Sequence, residues 1–265
     1  MTAFEKFTFE INEKVGLITF NQPKKSNALT VARAVELDKC FDIIAANDQI
    51  RAVLITGSGD SFSSGGDLDE MKAAVDNDNL ESFIKNLIYP VYAIAQKIRK
   101  LPKPVIAAVN GWAVGAGMNL SLACDMIIAS EKATFCESFI NLGFIPGMGG
   151  TYFLPRHISF VKATELLFTG KRISAKKAYE IGLINQVVKP QDLMPTALDL
   201  AAELADKPTL AIARTKDLLN QTYSNTMEEH LKNELKAQIL TSADQDCKEG
   251  INAFSENRKP VFQGK

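Results

Sequence analysis

Hydrophobic and polar positions change period along this chain, and the changes mark its elements. Phe7–Ile11 and Val15–Phe20 alternate apolar with polar residues on either side of Asn12-Glu13-Lys14, the pattern of a β-hairpin. Thr30 stands where a helix cap belongs, and Val31, Val35 and Leu37 are apolar positions of a helix that runs to about Ala46. Ala52–Thr56 is a short apolar strand. Residues 69–82 (DEMKAAVDNDNLES) are polar and acidic and predict an exposed helix or loop. Helical periodicity returns over Ile84–Lys100, stops at Pro102, and gives way to a second apolar strand, Val105–Val109. Met118–Ala123, Met148–Leu154, Phe160–Phe168 and Ser174–Ile181 read as short helices, the last ended by Gly182, with Leu183–Val188 extended. From Gln191 the pattern is helical throughout, and Thr226-Met227-Glu228-Glu229 has the spacing of a capping box. A charged tail, Asn257–Lys265, closes the chain. Strands crowd before residue 130 and helices after 190. The pattern predicts a mixed α/β core over residues 1–190 followed by a helical region over 191–265.

Two loops share a composition that carries chemistry. Gly57-Ser58-Gly59-Asp60 leaves the first apolar strand and leads to Phe62-Ser63-Ser64-Gly65-Gly66-Asp67. The second strand leads through the turn Asn110-Gly111 to Gly115-Ala116-Gly117, which opens a helix. A small-residue loop that starts a helix after a strand leaves backbone N–H groups free to receive an anion or a developing oxyanion. Lys24 and Lys25 sit side by side in the loop 21–26, where they either meet a phosphate or are solvated in a turn.

Composition narrows the choices. The chain has 265 residues, 46% of them hydrophobic, enough for one domain or one with a small appendage. A net charge of −1 gives no electrostatic footprint for nucleic acid. The N-terminus lacks a signal-peptide pattern, and no apolar run approaches the roughly 20 residues of a membrane span, so a cytoplasmic protein is expected. Cys40, Cys124, Cys136 and Cys247 are scattered, and with only His157 and His230 beside them they predict buried thiols and no metal site. Leu120 stands where a dinucleotide fingerprint needs its third glycine, Arg172 follows Gly170-Lys171 where a P-loop needs Ser or Thr, and no G-x-S-x-G occurs. Dinucleotide, nucleotide and serine-hydrolase chemistry are poor readings.

The two loops and their spacing nevertheless resemble a known family. F-S-S-G-G-D-L at Phe62–Leu68 and K-P-V-I-A-A-V-N-G-W-A-V-G-A-G at Lys103–Gly117 are similar to the crotonase (enoyl-CoA hydratase/isomerase) superfamily. The likeness continues through Ala123-Cys124-Asp125, Glu131–Phe135, Leu142–Gly150, Leu167–Gly170, Ala178–Ile184 and the tail from Phe254. It implies a spiral of ββα turns followed by a helical C-terminal trimerisation region, in a homotrimer or a dimer of trimers. It also implies an acyl-CoA thioester as substrate, with no other cofactor and no nucleic-acid or membrane partner. The backbone N–H groups of Gly66 and Ala116 would grip the thioester oxygen and stabilise an enolate. Ser64, Leu68, Phe139 and Gly147 fall on the substrate side, while Lys24, Lys25 and Lys259 are placed to reach the phosphates of CoA.

The carboxylates of the family are missing from their usual places. Hydratases have a glutamate two residues after the last glycine of the second loop, here Asn119, and another at the position of Phe139. Isomerases with an apolar residue at the latter position place an acid after the Ile-Pro dipeptide, here Gly147. Asn119 hydrogen-bonds without taking up protons, and Phe139 packs against an acyl chain or the core. Three explanations follow. Glu137, two residues before Phe139, is a relocated base, or it merely begins the helix Ser138–Leu142, where negative charge is favourable, the plainer reading. Decarboxylation needs no base, with His230 as a conceivable proton donor or simply a surface residue. Alternatively the protein binds acyl-CoA without turning it over. By lineage the isomerase-like branch fits best, which predicts double-bond migration or a related rearrangement; hydratase-like activity with non-standard residues is the alternative.

Overall fold

The computed structural model describes residues 4–265. The hairpin β1 (Phe7–Asn12) and β2 (Val15–Phe20) precedes helix α1 (Val31–Ala46), whose cap residue Thr30 accepts the Arg33 N–H. The chain then repeats one move three times. It runs a longer strand, crosses to a three-residue strand, and continues into helical structure. The first turn is β3 (Ala52–Gly57), β4 (Ser61–Ser63), α2 (Leu68–Asp76) and α3 (Leu80–Lys100). The second is β5 (Val105–Val109), β6 (Trp112–Val114) and α4 (Ala116–Ala123). The third is β7 (Met126–Ser130), β8 (Thr134–Cys136), a 3-10 turn over Ser138–Leu142, α5 (Gly150–His157) and α6 (Phe160–Thr169). β9 (Arg172–Ser174), α7 (Ala175–Glu180) and β10 (Gln186–Val188) lead to α8 (Leu193–Ala205), α9 (Thr209–Gln221), α10 (Met227–Ser242) and α11 (Gln245–Ser255).

The longer strands form one sheet in the order β1-β2-β3-β5-β7-β10, parallel except for the hairpin, and the short ones a second sheet in the order β4-β6-β8-β9. β3 and β5 are buried on both faces, which is why they read as unbroken apolar runs. Val53, Ile55, Val105 and Ala107 face the main core with Leu37, Ile44 and Ile94 of α1 and α3. The alternate residues Ala52, Leu54, Ile106 and Ala108 face α8, whose Ala197, Ala201 and Ala205 recur every four residues and line up on one side of the helix. The first helix after residue 190 thus covers a face of the sheet laid down before it.

Buried and half-buried polar groups fasten the rest. Asp125, between α4 and β7, accepts the Val105 N–H at 2.8 Å, the Lys216 ammonium at 2.6 Å and the Arg99 guanidinium at 3.3 Å. It anchors α9 to the core. Arg51 donates to Thr209 Oγ1 and to the carbonyls of Lys207 and Phe262, while Asp246 accepts the N–H groups of Gln263 and Gly264, so the tail folds back on its own chain. The capping box at Thr226 and Glu229 forms as its spacing predicts. Among the described residues no helix is long and apolar enough to cross a membrane, and all four cysteines are free thiols.

Candidate active site

The repeated strand-to-helix move builds the site. β4 and β6 are parallel neighbours, with Ser61 opposite Trp112 and Ser63 opposite Ala113. The loops that leave them, Ser64–Asp67 and Gly115, therefore emerge side by side. Gly65 has φ +81°, and a Cβ there would stand 2.7 Å from the Val114 carbonyl and 3.1 Å from the Ala116 nitrogen. Only glycine permits that approach. Gly117 serves in the same way: a Cβ there would meet the Ser63 carbonyl at 2.2 Å, so its absence lets α4 start directly against the end of β4. Asp67 caps α2 by accepting the Asp69 and Glu70 N–H groups.

Gly66 and Ala116 sit at the wall of a cavity of about 490 Å³. Neither N–H donates to a protein acceptor among the described residues. Ala116 opens α4, where the helix leaves its first N–H groups free. The cavity is otherwise mostly apolar, with Ser64, Tyr92, Ser138 and Asn141 as its polar side chains. Leu68 and Met71 of α2 and Ile84, Leu87, Ile88 and Val91 of α3 form one side, and Phe139, Leu142, Phe144 and Ile145 the other. Every lining side chain is uncharged, and Tyr92 is the one titratable residue among them.

Of the residues singled out in the sequence, Ser64, Gly66, Leu68, Ala116, Phe139 and Gly147 line this cavity. Lys24, Lys25 and Lys259 do not; all three are exposed, and Lys25 pairs with Asp69, which raises its pKa. His230 also lies away from the cavity, half-buried on α10. Asn119 and Glu137 stand directly behind the lining. Asn119 is completely buried and donates through Nδ2 to the Gly147 carbonyl at 2.8 Å and to Glu137 Oε2 at 3.4 Å. Glu137 is 1% exposed and faces no cation; burial pushes its carboxyl up to about 8, against the lowering effect of the Asn119 hydrogen bond. Glu137 occupies the position before the 3-10 turn, yet its side chain makes no capping hydrogen bond. Glu137 thus begins the Ser138–Leu142 turn, as the plainer sequence reading has it, but its side chain is a dry carboxyl turned inward to α4 and does not cap that turn.

Apart from Leu68, the lining from α2 and α3 was missed in the sequence. Residues 68–76 are helical and carry Met71 against Gly66, not merely exposed polar chain. Ile84, Leu87, Ile88 and Val91 have the i, i+3, i+4, i+7 spacing of one helix stripe, a signal that marks a covered face without saying that it borders a cavity.

The enoyl-CoA hydratase/isomerase family profile matches residues 10–265. The 1,2-epoxyphenylacetyl-CoA isomerase of Escherichia coli is 36% identical over 257 residues, covering 96% of this chain and 97% of its own. The crotonyl-CoA hydratase of Syntrophomonas wolfei is also 36% identical, over 272 residues and 99% and 100% of the two chains. The crystal structure of an enoyl-CoA hydratase from Bacillus anthracis superposes with a TM-score of 0.93 at 32% identity, covering 98% of this chain and all of that one. The chain belongs to the enoyl-CoA hydratase/isomerase family of the crotonase superfamily. An isomerase and a hydratase stand at equal identity to it, so relatedness alone does not choose the reaction.

Proposed function

We propose that this protein is an enzyme that acts on an acyl-CoA thioester by stabilising its enolate, and that its reaction is migration of an enoyl double bond. The observation that carries the reading is the pair of unpartnered N–H groups, Gly66 and Ala116, side by side at the wall of an apolar cavity. Loss of an α-proton from a thioester sends the C–H electron pair into the carbonyl, and the charge collects on oxygen. Donors fixed by β4–β6 pairing and by the start of α4 meet that charge without reorganising. The apolar lining supports a hydrocarbon acyl chain. It offers no cation to the carboxylate of a malonyl-type ester, only the neutral donors of Ser64, Tyr92, Ser138 and Asn141, which disfavours decarboxylation.

Migration removes a proton at one carbon and returns one two carbons away, so a single proton carrier serves both steps; hydration needs a water activated as well. One buried carboxyl next to the cavity, Glu137, suits the former. Exposed Lys24 and Lys259, with Lys25 once released from Asp69, are proposed to meet the CoA phosphates outside the cavity, contacts that weaken with salt. Exposed apolar residues on α9 to α11, among them Leu219, Leu231, Leu235 and Ile251, favour assembly through the C-terminal helices, as a homotrimer or a dimer of trimers.

The test is deuterium exchange in D2O on a panel of saturated and enoyl-CoA esters, followed by mass spectrometry, with a malonyl-type ester included. Label at the α- and γ-carbons together with a moved double bond is expected. Net formation of 3-hydroxyacyl-CoA would replace migration by hydration, and binding with no exchange above the uncatalysed rate would overturn the enolate reading.

A further inference from the structure

Glu137 is a carboxyl in a place that costs the fold. It lies 1% exposed at the end of β8, with Cys136 as the adjoining titratable group; the Cys136 thiol donates to the Gly170 carbonyl, and Arg172 lies near Cys136. Across from it on α4 stands only Asn119. Glu137 Oε1 and Asn119 Oδ1 are both buried and both without a partner. Both are acceptors, and Asn119 has already spent its amide hydrogens on Gly147 and on the other carboxyl oxygen. The donor the pair lacks is a proton, and Glu137 is the member able to hold one.

The wall between this pair and the cavity is thin. It includes Gly115, Ser138, the Phe139 ring and Gly147; a Cβ on either glycine would lie 3.5 Å from that ring, and one on Gly115 3.4 Å from Ser138 Oγ. Asn119 follows Gly115 by one helical turn, its N–H donating to the Gly115 carbonyl at 3.0 Å. The ring therefore packs against both Gly115, one turn before Asn119, and Gly147, whose carbonyl Asn119 holds.

We propose that Glu137 carries the proton exchanged with the substrate, that Asn119 positions it, and that the Phe139 ring separates carboxyl from cavity until substrate enters. This rests on the enolate reading above. The ionised carboxylate takes a proton from the α- or γ-carbon; the C–H pair moves into the conjugated thioester, and its oxygen is held by Gly66 and Ala116. Glu137 then delivers a proton to the other carbon, the abstracted one or one that the carboxyl has exchanged with solvent, which is the route by which label from D2O enters, and the enolate pair forms the new C–H bond. Nothing is oxidised or reduced, and the double bond ends one position along.

The test compares exchange into bound acyl-CoA across pH for the wild type and four variants. Wild-type exchange is expected to rise with pH about a midpoint near 8, as burial requires of an ionising Glu137. Glu137→Gln should lose at least 100-fold in rate while acyl-CoA affinity stays within a few fold. Asn119→Ala removes a hydrogen bond that favours the ionised form and should move the midpoint up; Phe139→Ala lets water reach the carboxyl and should move it down. These shifts do not require the glutamine variant to fold. A folded Glu137→Gln protein that exchanges at the wild-type rate, a midpoint unmoved in both other variants, or loss of exchange in Tyr92→Phe with none in Glu137→Gln would overturn the assignment while leaving the enolate reading intact. A wild type that exchanges nothing would instead overturn that reading, and this proposal with it.

Discussion

A buried carboxyl without a cation should reveal itself in stability before any substrate is added. Glu137 ionises near its ordinary value of 4.5 in the unfolded chain but at about 8 when folded. Between those values the folded state holds a proton that the unfolded state has released, so stability falls as pH rises through the window. It is flat, for this group, below about 4.5 and above about 8. At 1.36 kcal/mol per pH unit the loss at pH 7 is about 3 kcal/mol, growing to about 5 kcal/mol above pH 8. Glu137→Gln keeps the shape, still accepts from Asn119 Nδ2, and supplies an N–H for the unpartnered Asn119 Oδ1. It has no proton to release. The variant should therefore match the wild type near pH 4.5 and exceed it by about 3 kcal/mol at pH 7. Urea unfolding at a series of pH values, at one protein concentration so that assembly does not intrude, measures the difference. Parallel curves with no divergence between pH 5 and 8 would refute the reasoning, because Glu137 would then titrate alike in both states. A gain in stability joined to a loss of exchange is the mark of a group kept for function.

Other consequences can be checked as directly. Ala116→Pro deletes one oxyanion donor at a helix position that tolerates proline; exchange should slow by about 100- to 1,000-fold, corresponding to about 2.7–4 kcal/mol, with acyl-CoA still bound. Gly147→Asp adds a carboxylate at the cavity wall; a Cβ there makes only ordinary contact with the Phe139 ring, so the variant should fold and exchange faster than the wild type at pH 6. Asp125→Ala leaves the buried Lys216 ammonium without its counter-ion and should cost about 3–5 kcal/mol in urea unfolding. Thiol titration of the native protein should find Cys247 reactive and Cys40 silent, since burial pushes the Cys40 thiol up to about 12.

Elements whose signal is local were legible in the sequence. The hairpin around Asn12–Lys14, the Thr30 and Thr226 caps and the apolar strands at Ala52 and Val105 all occur where the pattern places them. β4, β6, β8 and β9 escaped because three residues carry no measurable period, and their pairing is set by partners tens of residues away. Those same short strands bring Gly66 beside Ala116, so the sequence showed two small-residue loops but not their adjacency, which the likeness to a family had to supply. Glu137 was the harder case. A lone glutamate between Cys136 and Ser138 looks like a helix start, and its inward turn depends on Asn119, 18 positions earlier.

The most direct measurement of the central claim is the infrared carbonyl stretch of a 13C-labelled acyl-CoA thioester bound to the protein. Two N–H donors fixed at the cavity wall should polarise the carbonyl and lower its frequency relative to the free ester, with part of the shift lost in Ala116→Pro. A bound ester whose carbonyl absorbs where it does in water, in wild type and variant alike, would mean that Gly66 and Ala116 do not hold the thioester oxygen.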